Sequence, residues 1–268
     1  MILDRAPQLV EHFVSLEGEG ITVGRAALFI RTNECNLSCN FCDTAFSITG
    51  KHPAIIEDMT SKDYVNFLKS KYSTFDRTHV MNLSITGGEP LMNLNHFSKI
   101  ISRTLEAFPN INKVVIETNG YLLKDVEVCD KLLSEVKDYN DKMHFILSLS
   151  PKLSGKVSFA GKMEDISILA DYKKVVHNYV DKLDKVFDIQ LKTVFSEKLI
   201  DSNEALVNYV LDNKLLSRDE ILIMPFTPKD PTGKNANEWT KSKDEAARYA
   251  LANYFRYSPR IHIDRKLA

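Results

Sequence analysis

Residues 26–42 read AALFIRTNECNLSCNFC. The first seven form an apolar run with one arginine near its end, the pattern of a strand buried inside a sheet. The strand stops just before a loop that holds Cys35, Cys39 and Cys42, three of the chain's four cysteines within eight positions. Three soft ligands this close suit a zinc ion, a disulfide cluster or an iron–sulfur cluster. A structural zinc site is four-coordinate and closed, and the fourth cysteine, Cys129, lies far along the chain. No histidine is close in sequence; His52 is the nearest on the C-terminal side. Disulfide frameworks belong to short chains in oxidising compartments, and 268 residues with four cysteines need no such staples. An iron–sulfur cluster with three protein ligands remains. In a four-iron cubane that leaves one iron open for chemistry.

Moving outward from this loop, strands alternate with amphipathic helices. Strands are expected at 80–86, 113–119, 144–150, 188–195 and 220–226, and helices at 61–72, 95–108, 126–139, 203–213 and 243–255. A further helix fits 169–183, and RIHI at 260–263 reads as a short final strand. About six core strands with helices between them predict an α/β fold. Its centre is a parallel sheet wrapped by helices, open or closed into a partial barrel. No linker, repeat or low-complexity run divides residues 1–268, so one domain is expected. In such sheets ligands bind beyond the carboxyl ends of the strands. The cysteine loop, TGGEP (86–90), ETNG (117–120), SPK (150–152) and MPF (224–226) all fall at strand ends. They therefore open at one rim.

Hydrophobic residues make up 44% and charged residues 26%, with a net charge of −1. That balance gives no reason to expect direct nucleic-acid contact or attraction to an acidic membrane. No apolar stretch reaches the ~18 residues of a membrane span. MILDRAPQLVEHF has no basic region followed by an apolar run, so no signal peptide is expected. A cytoplasmic, reducing location, which suits free thiolates, is the expectation.

C-x-x-x-C-x-x-C after the first strand, with an aromatic before the last cysteine and GGEP after the second strand, resembles the radical S-adenosylmethionine (SAM) enzymes. SLEGEG (15–20), GRAALFIRTNECNLSCNFCDT (24–44) and the terminal YSPRIHIDRKLA narrow the resemblance. They are similar to the 7-carboxy-7-deazaguanine synthase, or QueE, family. That family converts 6-carboxy-5,6,7,8-tetrahydropterin to 7-carboxy-7-deazaguanine with loss of ammonia, on the way to queuosine-type bases.

The resemblance implies a [4Fe–4S] cluster on Cys35, Cys39 and Cys42, a SAM molecule on its open iron, and Mg²⁺ held by Thr44. It implies SAM contacts from Phe41, Asp43, Gly88, Glu89, Glu117, Asn119, Ser150 and Lys152. Substrate contacts would come from Leu16, Glu17, Gly18, Arg31, Thr86 and His262. The N-terminal segment 15–24 would bind substrate, 35–44 would form the cluster loop, and 256–268 would close the pocket. An external one-electron reductant of flavodoxin or ferredoxin type is implied, and a homodimer is admitted. Chemistry supports some of these roles. Glycine lets backbone approach a ligand, and the planar fork of Arg31 suits a carboxylate. Plainer readings stand beside them. Glu117 and Asn119 would serve as strand-end caps, Ser150 and Lys152 as a turn, Thr44 as a turn cap, and His262 as a residue of a last strand.

Position 17 is glutamate where the family usually has glutamine. An ionised glutamate only accepts hydrogen bonds; a pterin amidine edge offers donors. The chain also has surplus length between 150 and 190. Two alternatives use fewer of these motifs: a radical SAM activase that makes a glycyl radical on a partner protein, and a non-catalytic iron–sulfur or zinc protein.

Overall fold

The computed structural model describes residues 9–37, 39, 42, 61–73, 76–153, 157–159, 162–164, 168–195, 200–228 and 230–265. Eight strands form the main sheet: β1 (Leu9–Leu16), β2 (Ala26–Thr32), β3 (Asn82–Gly87), β4 (Lys113–Thr118), β5 (His144–Leu149), β8 (Phe187–Phe195), β9 (Ile221–Pro225) and β10 (Arg256–Tyr257). They lie in that order across it. From β2 to β10 every pairing is parallel; β1 alone runs antiparallel, against β2. The six expected core strands are thus β2, β3, β4, β5, β8 and β9, and an edge strand is added on each side. A separate hairpin, β6 (Val157–Phe159) with β7 (Lys162–Glu164), occupies the surplus region.

Helices α1 (Ser61–Lys71), α2 (Phe97–Ala107), α3 (Val126–Val136), α4 (Ile168–Asn178), α5 (Ile200–Asp212) and α6 (Ala236–Ala252) follow the strands. A π-helical turn, Tyr179–Leu183, extends α4. Alternate residues of each strand face these helices in one continuous core: Leu28 and Ile30, Leu83 and Ile85, Val114 and Ile116, Phe145 and Leu147, Ile189 and Leu191. The opposite face is different in kind. It carries Ser84, Thr86, Glu117, Ser148, Gln190 and Lys192, because successive side chains of a strand point to opposite sides.

The chain's last segment differs from expectation. RIHI lies mostly in a short helix, α7 (Ile261–Arg265), and the final strand comes earlier, at Arg256–Tyr257. α6 also begins seven residues before the expected start and buries Trp239. Among the described residues no helix is long and apolar enough to cross a membrane.

The sheet curls. β1 and β10 are its opposite edges, yet the segment after β1 meets the segment after β10. Gly20 N donates to Ser258 Oγ at 2.8 Å, and Ile261 N donates to Gly18 O at 2.9 Å. Ile21 N reaches Gln190 Oε1 on β8 at 2.7 Å. Residues 17–21 therefore bridge the gap of an open barrel and wall its polar interior.

Candidate active site

Sheet register places the interior side chains in rows. Arg31 pairs with Thr86, and Glu117 pairs with Ser148, which pairs with Gln190. Thr86 Oγ1 donates to Glu117 Oε2 at 3.0 Å, which joins the two halves of that row. Lys192 is buried and lies 3.4 Å from both Glu117 and Glu19. Arg260 Nε approaches Glu19 Oε2 at 3.6 Å. Burial alone would raise Glu19, but Lys192 and Arg260 outweigh it and hold the carboxyl down at about 2. Burial likewise opposes the charge on Lys192, and Glu117 and Glu19 overcome it. Glu17 is buried, and its Oε1 accepts from Ser84 Oγ at 2.9 Å. A Cβ on Gly18 would fall 1.8 Å from His262 Nδ1, so only glycine lets the α7 histidine lie against this loop.

A second group lines the rim above β3, β4 and β5. The Glu89 carboxylate accepts from Leu91 N at 3.0 Å, Thr118 Oγ1 at 2.5 Å and Asn119 N at 2.8 Å. It thereby caps a 3-10 turn at Pro90–His96 and ties two strand ends together. Tyr172 of α4 donates to Asn119 O at 2.9 Å and accepts from Lys152 N at 3.0 Å. Lys152 Nζ in turn donates to Ser150 Oγ at 3.0 Å. The glycines of GGEP also serve a close approach within the chain. Gly87, at φ +129, and Gly88 would place Cβ atoms 2.3 Å from the Thr32 backbone and 1.8 Å from Glu34 O. They dock β3 against the root of the cysteine loop.

At that root, Cys35 Sγ accepts from Leu37 N at 3.4 Å and from Asn119 Nδ2 at 3.9 Å. Asn119 Nδ2 also donates to Asn36 Oδ1 at 2.8 Å. Burial, then the nearby Glu89, Cys39 and Cys42, push the Cys35 thiol up to about 12, against the Leu37 N–H. A thiol held neutral in this way yields its proton to a bound metal cluster. N–H groups aimed at a ligand sulfur are the usual supporting contacts of such clusters.

Residues 16–152, just over half of the chain, match the family described as a 4Fe-4S single cluster domain. The chain is 30% identical over 214 residues to the 7-carboxy-7-deazaguanine synthase of Clostridium acetobutylicum, covering 78% of this chain and 89% of that protein. This chain belongs to the 7-carboxy-7-deazaguanine synthase family. The Halobacterium salinarum synthase is 25% identical over 261 residues, covering 94% and 88% of the two chains. The crystal structure of QueE from Escherichia coli superposes with a TM-score of 0.54 over 94% of this chain and 92% of that one, at 18% identity. That likeness bears on the fold alone. The glycyl-radical activase and the passive metal protein have no comparable support.

Against the synthase residues expected from sequence, the structure brings Glu17, Gly18, Thr86 and His262 to the interior. It gathers Gly88, Glu89, Asn119, Ser150 and Lys152 at the rim. Glu117, expected beside SAM, groups with Thr86 and Lys192 on the interior face. Leu16 ends β1 and is exposed. Arg31 Nε pairs with Glu11 Oε1 at 2.7 Å, with its guanidinium 5.8 Å from the Phe13 ring. Phe41, Asp43 and Thr44 lie outside the described residues. Sequence pattern does not single out Lys192, Gln190, Glu19, Ser84, Tyr172 and Arg260, which share these polar networks. The available signal is a lysine and a glutamine two apart in DIQLKTVF, because a core strand has no other reason to carry both on one face.

Proposed function

We infer that this protein is a radical SAM 7-carboxy-7-deazaguanine synthase. Its reaction converts 6-carboxy-5,6,7,8-tetrahydropterin to 7-carboxy-7-deazaguanine and releases ammonia. The observation that carries this is the pairing of a three-cysteine loop with a buried polar interior at the same strand ends, in a chain of this family. When bound, the [4Fe–4S] cluster and SAM supply a 5′-deoxyadenosyl radical that takes a hydrogen atom from the pterin.

The chain's own residues position, shield and balance charge. Cys35, Cys39 and Cys42 are the cluster ligands in this reading. The Gly88 backbone, Glu89, Asn119, Ser150 and Lys152 hold SAM at the rim, with Phe41 and Asp43 beside it. Glu17, Gly18, Thr86 and His262 hold the pterin in the interior, where residues 17–21 and α7 exclude water. Arg31 is assigned to the pterin carboxylate, with its Nε already held by Glu11 Oε1 at 2.7 Å. Mg²⁺ on Thr44 would neutralise charge on the substrate, since magnesium commonly uses few protein ligands. A flavodoxin- or ferredoxin-type donor supplies the electron, the setting is the cytoplasm, and the reading admits a homodimer.

The test is anaerobic reconstitution followed by reaction with SAM, Mg²⁺, reductant and 6-carboxytetrahydropterin. About four irons per chain, formation of 5′-deoxyadenosine, and a product of the deazaguanine mass are expected. Cys39→Ala should lose the cluster absorbance, and Thr44→Ala should lose most of the stimulation by Mg²⁺. Stoichiometric zinc without iron uptake would end this reading.

A further inference from the structure

Two carboxyl groups hang side by side from one face of β3. Ser84 Oγ donates to Glu17 at 2.9 Å and Thr86 Oγ1 donates to Glu117 at 3.0 Å. Ser84 and Thr86 are two residues apart on a strand, so their anchor points are about 6–7 Å apart and face the same way. The surroundings treat the two acids differently. Lys192 lies 3.4 Å from Glu117 and from Glu19, and Arg260 lies 3.6 Å from Glu19. Two cations thus answer two carboxylates. Among the described residues no cation forms an ion pair with Glu17, which is 1% exposed. The groups facing it are Glu117 from β4, Lys192 from β8 at longer range, and Ser84 and Asn82 from β3. His262 faces Gly18 and bears on Glu19. A buried carboxylate beside a second one, with no cation of its own, is better placed as the neutral acid.

We propose that Glu17 works as a neutral carboxylic acid, offering the bound pterin one O–H donor and one C=O acceptor, beside Glu117, which is paired with Lys192. The ligand half of this proposal rests on the synthase reading. The lactam edge of a pterin presents an N–H beside a carbonyl oxygen. A donor–acceptor pair complements that edge, and an acceptor-only carboxylate does not. Burial, and then the charge of Glu117, push Glu17 up to about 8, against Ser84, Lys192 and Asn82. The neutral form therefore prevails below that pH and is lost above it.

The experiment titrates the cluster-loaded full chain, with SAM present, with 6-carboxytetrahydropterin from about pH 6.5 to about pH 9.5 under anaerobic conditions. Wild-type affinity should fall about tenfold per pH unit above about pH 8, while Glu17→Gln, which keeps a donor and an acceptor, binds and stays flat. Flat profiles in both proteins, or parallel falls in both, overturn the proposal. A second measurement needs no pterin. The infrared difference between wild type and Glu17→Gln should contain the C=O band of a protonated carboxyl at about pH 7 and lose it by about pH 10. Absence of the band at neutral pH overturns the proposal whatever binds. A band present without pterin binding at any pH overturns the synthase reading instead, and with it the role given to the donor–acceptor pair.

Discussion

Lys192 shows how much a single buried charge organises. It is 3% exposed and held between Glu19 and Glu117. Removing one partner of a buried ionic group strands the others and costs roughly 3–5 kcal/mol. Lys192→Met should lose stability on that scale in urea unfolding at about pH 8, and lose less near pH 4, where the stranded carboxyls take up protons. An equal loss at both pH values would mean that packing, not charge, explains the effect. The sign for wild type follows from Glu19. Its depressed value contributes stability above the ordinary carboxylate range, and that contribution fades as pH falls toward about 2. Glu17 runs the other way. Its raised value costs stability increasingly as pH climbs from the ordinary range to about 8. Glu17→Gln should therefore raise the melting temperature more at about pH 8 than at about pH 5. Only part of this was legible in the sequence. Glu17 was identified from its place in SLEGEG. Glu19 and Lys192 belong to one another across 173 positions of chain, and no local pattern announces such a pairing.

At the scale of elements, legibility followed local period. β2 was read to the residue, because AALFIRT is apolar almost throughout and sits where a two-sided buried strand must be. β1 has no clear sequence signal: LVEHFVSL carries a buried histidine, and its antiparallel partner is β2, not a helix-separated neighbour. α7 reads as a strand because RIHI has the branched residues of one, but it folds as one short turn. The GGEP turn is legible in the sequence, and the structure adds a second reason for its glycines: the Gly88 backbone packs against Glu34, whose own φ is +65. Gly88 N donates to Thr32 O at 3.1 Å, and Glu89 N to Glu34 O at 2.7 Å. Gly88→Ala would force a Cβ to within 1.8 Å of Glu34 O, a backbone atom that cannot swing away. The cysteine loop should shift, and iron retained after reconstitution should drop severalfold while the far-UV helical signal persists. Full iron loading in Gly88→Ala would show that the turn and the loop are mechanically independent.

At the scale of the whole molecule, the open barrel is closed by chain ends and not by a ladder. Gly20 and Ile21 meet Ser258 and Gln190, and Gly18 meets Ile261 and His262. Sequence suggested this closure only through a histidine near the C-terminus; the contact itself depends on a curl that strand patterns do not specify. Two polar zones result. The rim, built on Glu89, Asn119 and Tyr172, depends on β3, β4, β5 and α4. The interior, walled by 17–21 and α7, depends on the meeting of the two ends. Gly18→Ala separates these zones experimentally. Its Cβ would occupy the position of the His262 ring, 1.8 Å from Nδ1. A side-chain ring can move, so the expected response is displacement of α7 and not unfolding. The loss of enclosure and of one or two contacts at roughly 1–1.5 kcal/mol each should weaken pterin binding about tenfold or more. SAM binding, measured by titration of the reconstituted protein without pterin, should change less than twofold, since none of its expected contacts lies on either end. Equal weakening of both ligands would mean that the two zones form one cooperative pocket whose rim also depends on the meeting of the chain ends.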